Sequence, residues 1–133
     1  MEADLLVLKI EEIEAYLNEV KEAIQIGKYR LDRNRKRQDN IDLFLKYVID
    51  EAKAREILLS LTAADFSEIL KNEHAGYEHE RLYVFGKDVL LLERSGTEEK
   101  MVSLYIKFNK LKNCYVIVIS FHEQKYPLKY PFK

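Results

Sequence analysis

The side chains best suited to chemistry lie in two neighbouring stretches near the C-terminus. In residues 114–122 an almost unbroken apolar, β-branched run gives out at His122. A histidine leaving a rigid strand can exchange protons near neutrality, because its reference pKa is about 6.5. In residues 102–109 Val102, Leu104, Ile106 and Phe108 alternate with Ser103, Tyr105, Lys107 and Asn109, so one face of that strand carries a phenol and an ammonium. If the two segments pair as a hairpin, Tyr105 and Lys107 sit on a strand beside His122; spacing alone leaves the register open. Histidine for proton transfer, tyrosine to orient a hydroxyl or phosphate, and lysine against a developing anion would suit metal-independent phosphodiester chemistry. The same residues equally describe a solvated strand face with a histidine capping the sheet edge. Strict alternation would put Cys114, Val116, Val118, Ser120 and His122 on one face, with Cys114 a small core residue.

Two basic regions add to this. The tail interleaves Lys125, Tyr126, Lys129, Tyr130, Phe132 and Lys133 with two prolines. Its rings could stack on unpaired bases while its lysines meet phosphates, or it could clamp the sheet as an extended cover. Arg30, Arg33, Arg35, Lys36 and Arg37 form a second cluster, suited to nucleic acid, to an acidic partner, or to a solvated helix end. His74 and His79 share a polar loop with Glu73, Glu78 and Glu80, but their spacing matches no strong zinc pattern, and no metal or other cofactor is expected.

The elements that must hold these residues follow from periodicity. Ile10, Ile13, Leu17, Val20 and Ile24 mark an amphipathic helix that Gly27 ends. A second helix is expected from Asp39 or Asn40, either of which could cap it, and another over residues 52–59. Thr62-Ala-Ala-Asp65 resembles a capping box and predicts a further helix through Phe66, Ile69 and Leu70. Residues 72–80 read as a loop. Beyond it the period becomes two: short strands at 81–85 and 89–93, a turn at 95–100, then the strands at 102–109 and 114–121. Pro127 and Pro131 keep the tail out of a central strand. The expected fold is therefore α+β, with N-terminal helices packed on a small, mainly antiparallel sheet of three to four strands. One domain should span residues 1–133: a helical part at about 1–72, a sheet part at about 81–125 and an extended tail at 126–133.

With 133 residues, 47% hydrophobic and 34% charged, the chain suits one modest core rather than disorder. One cysteine precludes an internal disulfide and a thiolate zinc site. The longest uninterrupted apolar stretch, Tyr115 to Ile119, is too short for a bilayer, and the acidic start does not resemble a signal peptide, so a cytoplasmic protein is expected. The net charge of -1 hides its distribution. Residues 1–26 carry a net of -5, 27–37 of +5, 38–80 of -6 and 81–133 of +5. Attraction to an anionic partner must therefore be local.

Three stretches together resemble a known family: Leu58-Leu-Ser-Leu-Thr-Ala-Ala-Asp-Phe66, Val102-Ser-Leu-Tyr-Ile-Lys-Phe108 and Val116-Ile-Val-Ile-Ser-Phe-His-Glu123. In order and spacing they are similar to the MqsR-type toxins of type II toxin–antitoxin systems, messenger-RNA endoribonucleases with a RelE-like fold. The resemblance implies cleavage of single-stranded RNA by its own 2′-hydroxyl and neutralisation by a cognate antitoxin protein. It assigns the family's active-site tyrosine to Tyr105 and its catalytic basic position to His122, where the best-known members have lysine. A further family lysine falls on or near Glu68, so Lys71, one helical step on, or Lys87 or Lys107 would replace it. Lys125, Tyr126, Lys129, Tyr130, Arg33, Arg35 and Arg37 would contact RNA. A RelE-like module that binds RNA or protein without cutting is the alternative, as is a structural partner that docks through its helices.

Overall fold

The computed structural model describes residues 8–133. Among the described residues three helices, α1 (Ile10–Gln25), α2 (Gln38–Lys46) and α3 (Glu51–Leu59), accompany five strands. The strands are β1 (Tyr29–Leu31), β2 (Phe66–Lys71), β3 (Arg81–Leu92), β4 (Glu99–Lys110) and β5 (Val116–Glu123). They form one open, mixed sheet in the order β1-β5-β4-β3-β2, with β1 parallel to β5 and every other pair antiparallel. The molecule is thus a small α+β domain with its helices on one face of the sheet.

Helix α1 exists for the reason its sequence implies: Ile13, Leu17, Val20 and Ile24 make one stripe, and all four are buried. Gly27 (φ +82°) then closes it in the left-handed conformation. The Lys28 N–H donates to the Ala23 carbonyl at 2.8 Å and the Gly27 N–H to Ile24 at 3.2 Å, which turns the chain directly into β1. At the start of α3 the Asp50 side chain accepts the Lys53 N–H at 2.7 Å. The stripe of α1 meets Phe66, Phe85, Leu104, Ile106, Phe108 and Phe121, each wholly buried on the inner sheet face. Each such side chain contributes about 1.5–3 kcal/mol of hydrophobic stabilisation.

Several expectations need correction. The Thr62 box is real, with the Thr62 N–H on Asp65 at 2.9 Å, but it starts a single 3-10 turn (Ala63–Asp65) and not a helix. Residues from Phe66 onward pair with β3 instead, so the sheet gains a strand from the part read as helical. The basic cluster supplies another, β1, which was not anticipated. The two short strands at 81–85 and 89–93 are one continuous β3, because Gly86-Lys87-Asp88 stays in register with β4. Asn40 does not cap α2; it lies inside the first turn with its side chain buried. Cys114 is exposed at φ +66°, in the connection before β5, and is no core residue.

The strand ending at His122 holds the correction that matters most. Lys107 pairs with Ser120 while Phe108 pairs with Val118, so Ile119 is an extra residue, a β-bulge. Before it, Val116 and Val118 join the inner core; after it, Phe121 does. Val116 and Val118 are therefore not on the face of Ser120 and His122, which the bulge turns outward. Asn40 holds it in place: its Nδ2 donates to the carbonyls of Ile119 (2.9 Å) and Asp32 (2.7 Å), and its Oδ1 accepts the Phe121 N–H (2.8 Å). These three bonds satisfy backbone groups that the irregular ladder leaves unpaired.

Candidate functional site

The outer sheet face is where the chemistry-bearing side chains meet. Tyr105 of β4 and His122 of β5 are direct partners across the ladder, their rings stacked at 5.2 Å between centroids and 10° between planes. His122 Nδ1 lies 2.8 Å from the Glu123 carbonyl oxygen. A carbonyl only accepts, so in the neutral ring the proton sits on Nδ1 and Nε2 keeps its lone pair. Burial, with Tyr126 and Glu68 nearby, pushes the Tyr105 hydroxyl up to about 12, so it stays a neutral donor across the physiological range. Lys107 is one same-face step away, about 6.6 Å along β4. Burial and then the Arg37 guanidinium lower its pKa below that of an ordinary lysine.

Beyond Lys107 the face opens into a cleft of about 560 Å³. Its rim carries Arg30, Arg37, Lys71 and Lys107 against Asp32 and Glu73, and Leu70, Leu82, Ile117 and Ile119 form an apolar floor. Arg30 pairs with Asp32 at 3.1 Å and Arg37 approaches the same carboxylate at 3.9 Å. Asn109 closes one end, its Nδ2 donating to Glu80 at 2.9 Å.

Other expected site residues lie elsewhere. Lys87 points to the opposite face from Tyr105 and pairs with Asp65 at 3.3 Å. Lys71 reaches the cleft, though not as a helical neighbour of Glu68: both are on β2, where Glu68 pairs with Val84 on the outer face. Of the three arginines expected to contact RNA, Arg37 joins Lys107 at the cleft, while Arg33 lies over the Phe44 ring at 4.7 Å and Arg35 is exposed in the preceding loop. The tail is a strap. Lys125 pairs with Asp39 at 2.7 Å, Ser67 donates to the Lys129 carbonyl at 2.7 Å, and Phe132 stacks on Phe66 at 6.0 Å. Gly86 makes the crossing possible, since a Cβ there would lie 2.1 Å from the Tyr130 hydroxyl. Tyr126, Lys125 and Lys129 keep their side chains exposed on it.

Sequence reasoning missed Asn40, Asn109 and Gly86 as residues that build the site. Only Gly86 carried a signal, a glycine inside an otherwise strand-like run. Among the described residues no group of three or more His, Cys, Asp or Glu side chains comes together as a metal site, and no helix is long and apolar enough to cross a membrane. No protein-family model, curated protein or solved structure matches this chain.

Proposed function

We propose that this protein is a toxin-type endoribonuclease that cuts single-stranded messenger RNA on its outer sheet face. The observation that carries the reading is the Tyr105–His122 pair, stacked across the ladder with the imidazole Nε2 free and Lys107 one step away. In the reaction His122 Nε2 takes the proton from a ribose 2′-hydroxyl. The 2′-oxygen forms a bond to the adjacent phosphorus as the bond to the 5′-oxygen breaks. The products are a 2′,3′-cyclic phosphate and a 5′-hydroxyl, whose proton comes from water or from the Lys107 ammonium. Tyr105 donates to a non-bridging phosphate oxygen, and Lys107 offsets the charge of the pentacoordinate transition state. A cognate antitoxin protein would silence the enzyme by covering this face with acidic groups.

A non-catalytic RNA-binding module is the second reading, and Glu68 favours it: a carboxylate stands near Tyr105 where the family resemblance expects lysine. One experiment separates them. Purified protein is incubated with single-stranded RNA and a chelator between about pH 5 and 9, beside His122→Ala and Tyr105→Phe. Cleavage by wild type, lowered about 10²- to 10⁴-fold in His122→Ala, supports the enzyme. RNA bound but left intact by wild type establishes the binding module, and equal cleavage by all three proteins rejects the site.

A further inference from the structure

We infer that the cleft beyond Lys107 is a nucleotide subsite, taking one base on its apolar floor and the attached phosphate on its cationic rim. The inference rests on the proposed RNA reading and deepens it by naming the part of the substrate that the cleft holds. Three observations point the same way. First, Leu70, Leu82, Ile117 and Ile119 give the cleft an apolar floor between charged rim residues, and a flat heterocycle is an occupant with apolar faces and polar edges. Second, four cationic side chains meet only two carboxylates on the rim, and Asp32 is already shared between Arg30 and Arg37. Lys71 and Lys107 line the same cleft and form no ion pair among the described residues. Third, Glu80 lies behind the cleft and binds the amides of Asn72 (3.0 Å) and Asn109 (2.9 Å). The carboxylate can only accept, so each amide spends one of its two Nδ2 hydrogens on it, which fixes both side chains at that end of the cleft.

The β5 bulge is what builds this floor. It lets Ile117 and Ile119 line the cleft while Ser120 and His122 continue along the same face toward Tyr105. The subsite and the Tyr105–His122 pair are thus consecutive stations on one surface, separated by the single same-face step from Lys107 to Tyr105. A strand lying along β4 would place a base in the cleft and present the neighbouring phosphodiester to His122.

The test is a titration of the isotope-labelled full chain, followed by backbone amide shifts. The probes are adenosine 5′-monophosphate, cytidine 5′-monophosphate, uridine 5′-monophosphate, adenosine and inorganic phosphate. The expected result is saturable shifts at Leu82, Asn109, Ile117 and Ile119 with the nucleotides. Inorganic phosphate should bind at least about tenfold more weakly, a difference of about 1.4 kcal/mol. Arg37→Ala and Lys71→Ala, both on the rim, should weaken the nucleotides severalfold and leave adenosine unchanged; Ile117→Ala should weaken adenosine as well. Phosphate binding as tightly as the nucleotides, or shifts confined to other residues, overturns the subsite. RNA cleavage is read separately. A nucleotide bound in the cleft of a protein that cuts no RNA defeats the enzyme reading alone, and cleavage with no nucleotide bound there defeats the subsite alone.

Discussion

Successive residues of β4 face two different environments. Leu104, Ile106 and Phe108 point into the inner face and are wholly buried against α1 and the aromatic side chains of neighbouring strands. Ser103, Tyr105 and Lys107, one position out of phase, stand on the opposite face, which among the described residues no helix covers and the C-terminal strap crosses. The inner face is stabilised by close packing, where a lost methylene leaves a void. The outer face is less tightly covered, with Tyr105, Lys107 and His122 only partly buried. The contrast shows how one strand can hold the fold together with half its residues and carry reactive groups with the other half.

Four substitutions would break or sharpen that contrast. The largest loss is expected on the inner face: Phe108→Ala should lower unfolding free energy by about 3–5 kcal/mol in denaturant titration. A loss below about 1 kcal/mol would mean the inner face is not the core. Next comes the link between the faces. Asn40→Ala strips partners from the Phe121 N–H and two carbonyls, at about 1–3 kcal/mol for an orphaned group, and should also slacken the Tyr105–His122 stack. Amide exchange at Phe121 would report the first effect, and RNA cleavage beyond the change in folded fraction would report the second.

Gly86→Ala tests the strap that shields part of the outer face. The new methyl group would displace Tyr130, Gln124 and Leu128, whose side-chain ends can move, so the cost should be only about 1 kcal/mol. Its clearer readout is faster proteolysis of the last residues; an unchanged digestion rate would show that the strap does not depend on that close approach. The smallest effect belongs to Lys125→Ala. The Lys125 ammonium holds the Asp39 carboxyl below its ordinary value of 3.8. A depressed carboxylate stabilises the fold above its unfolded pKa, and that contribution fades as pH falls through the folded one. The exposed pair should therefore contribute less than about 1 kcal/mol near neutrality. The stabilities of wild type and variant should converge as pH falls well below the ordinary carboxylate range; a gap that widens there would contradict the pairing.

Much of this was legible from residue order. The α1 stripe, the alternation of β4, the loop over 72–80 and the α+β class all follow from periodicities that survive in the folded molecule. The Tyr105, Lys107 and His122 set was legible as a candidate for the same reason, since two strands with a short connection tend to pair. Residues 66–71 were misread because Phe66, Ile69 and Leu70 also fit a helical spacing. Pairing with β3 outweighed that weak local preference. Lys87 was misplaced for want of the β3 register, since a one-residue shift moves a side chain to the other face.

Sequence alone thus determined which residues are apolar or reactive and with what period they repeat, because those patterns are local properties of the chain. Tertiary structure decided which face each residue occupies. The bulge at Ile119 depends on hydrogen bonds from Asn40, 79 positions away in the chain, and without it strict alternation would keep His122 on the face of Val116 and Val118. The strap over Gly86 and the cleft floor of Leu70, Leu82, Ile117 and Ile119 likewise join residues that only the folded sheet brings together. Periodicity cannot foresee an inserted residue or a distant partner, and here the arrangement of the candidate site depends on both.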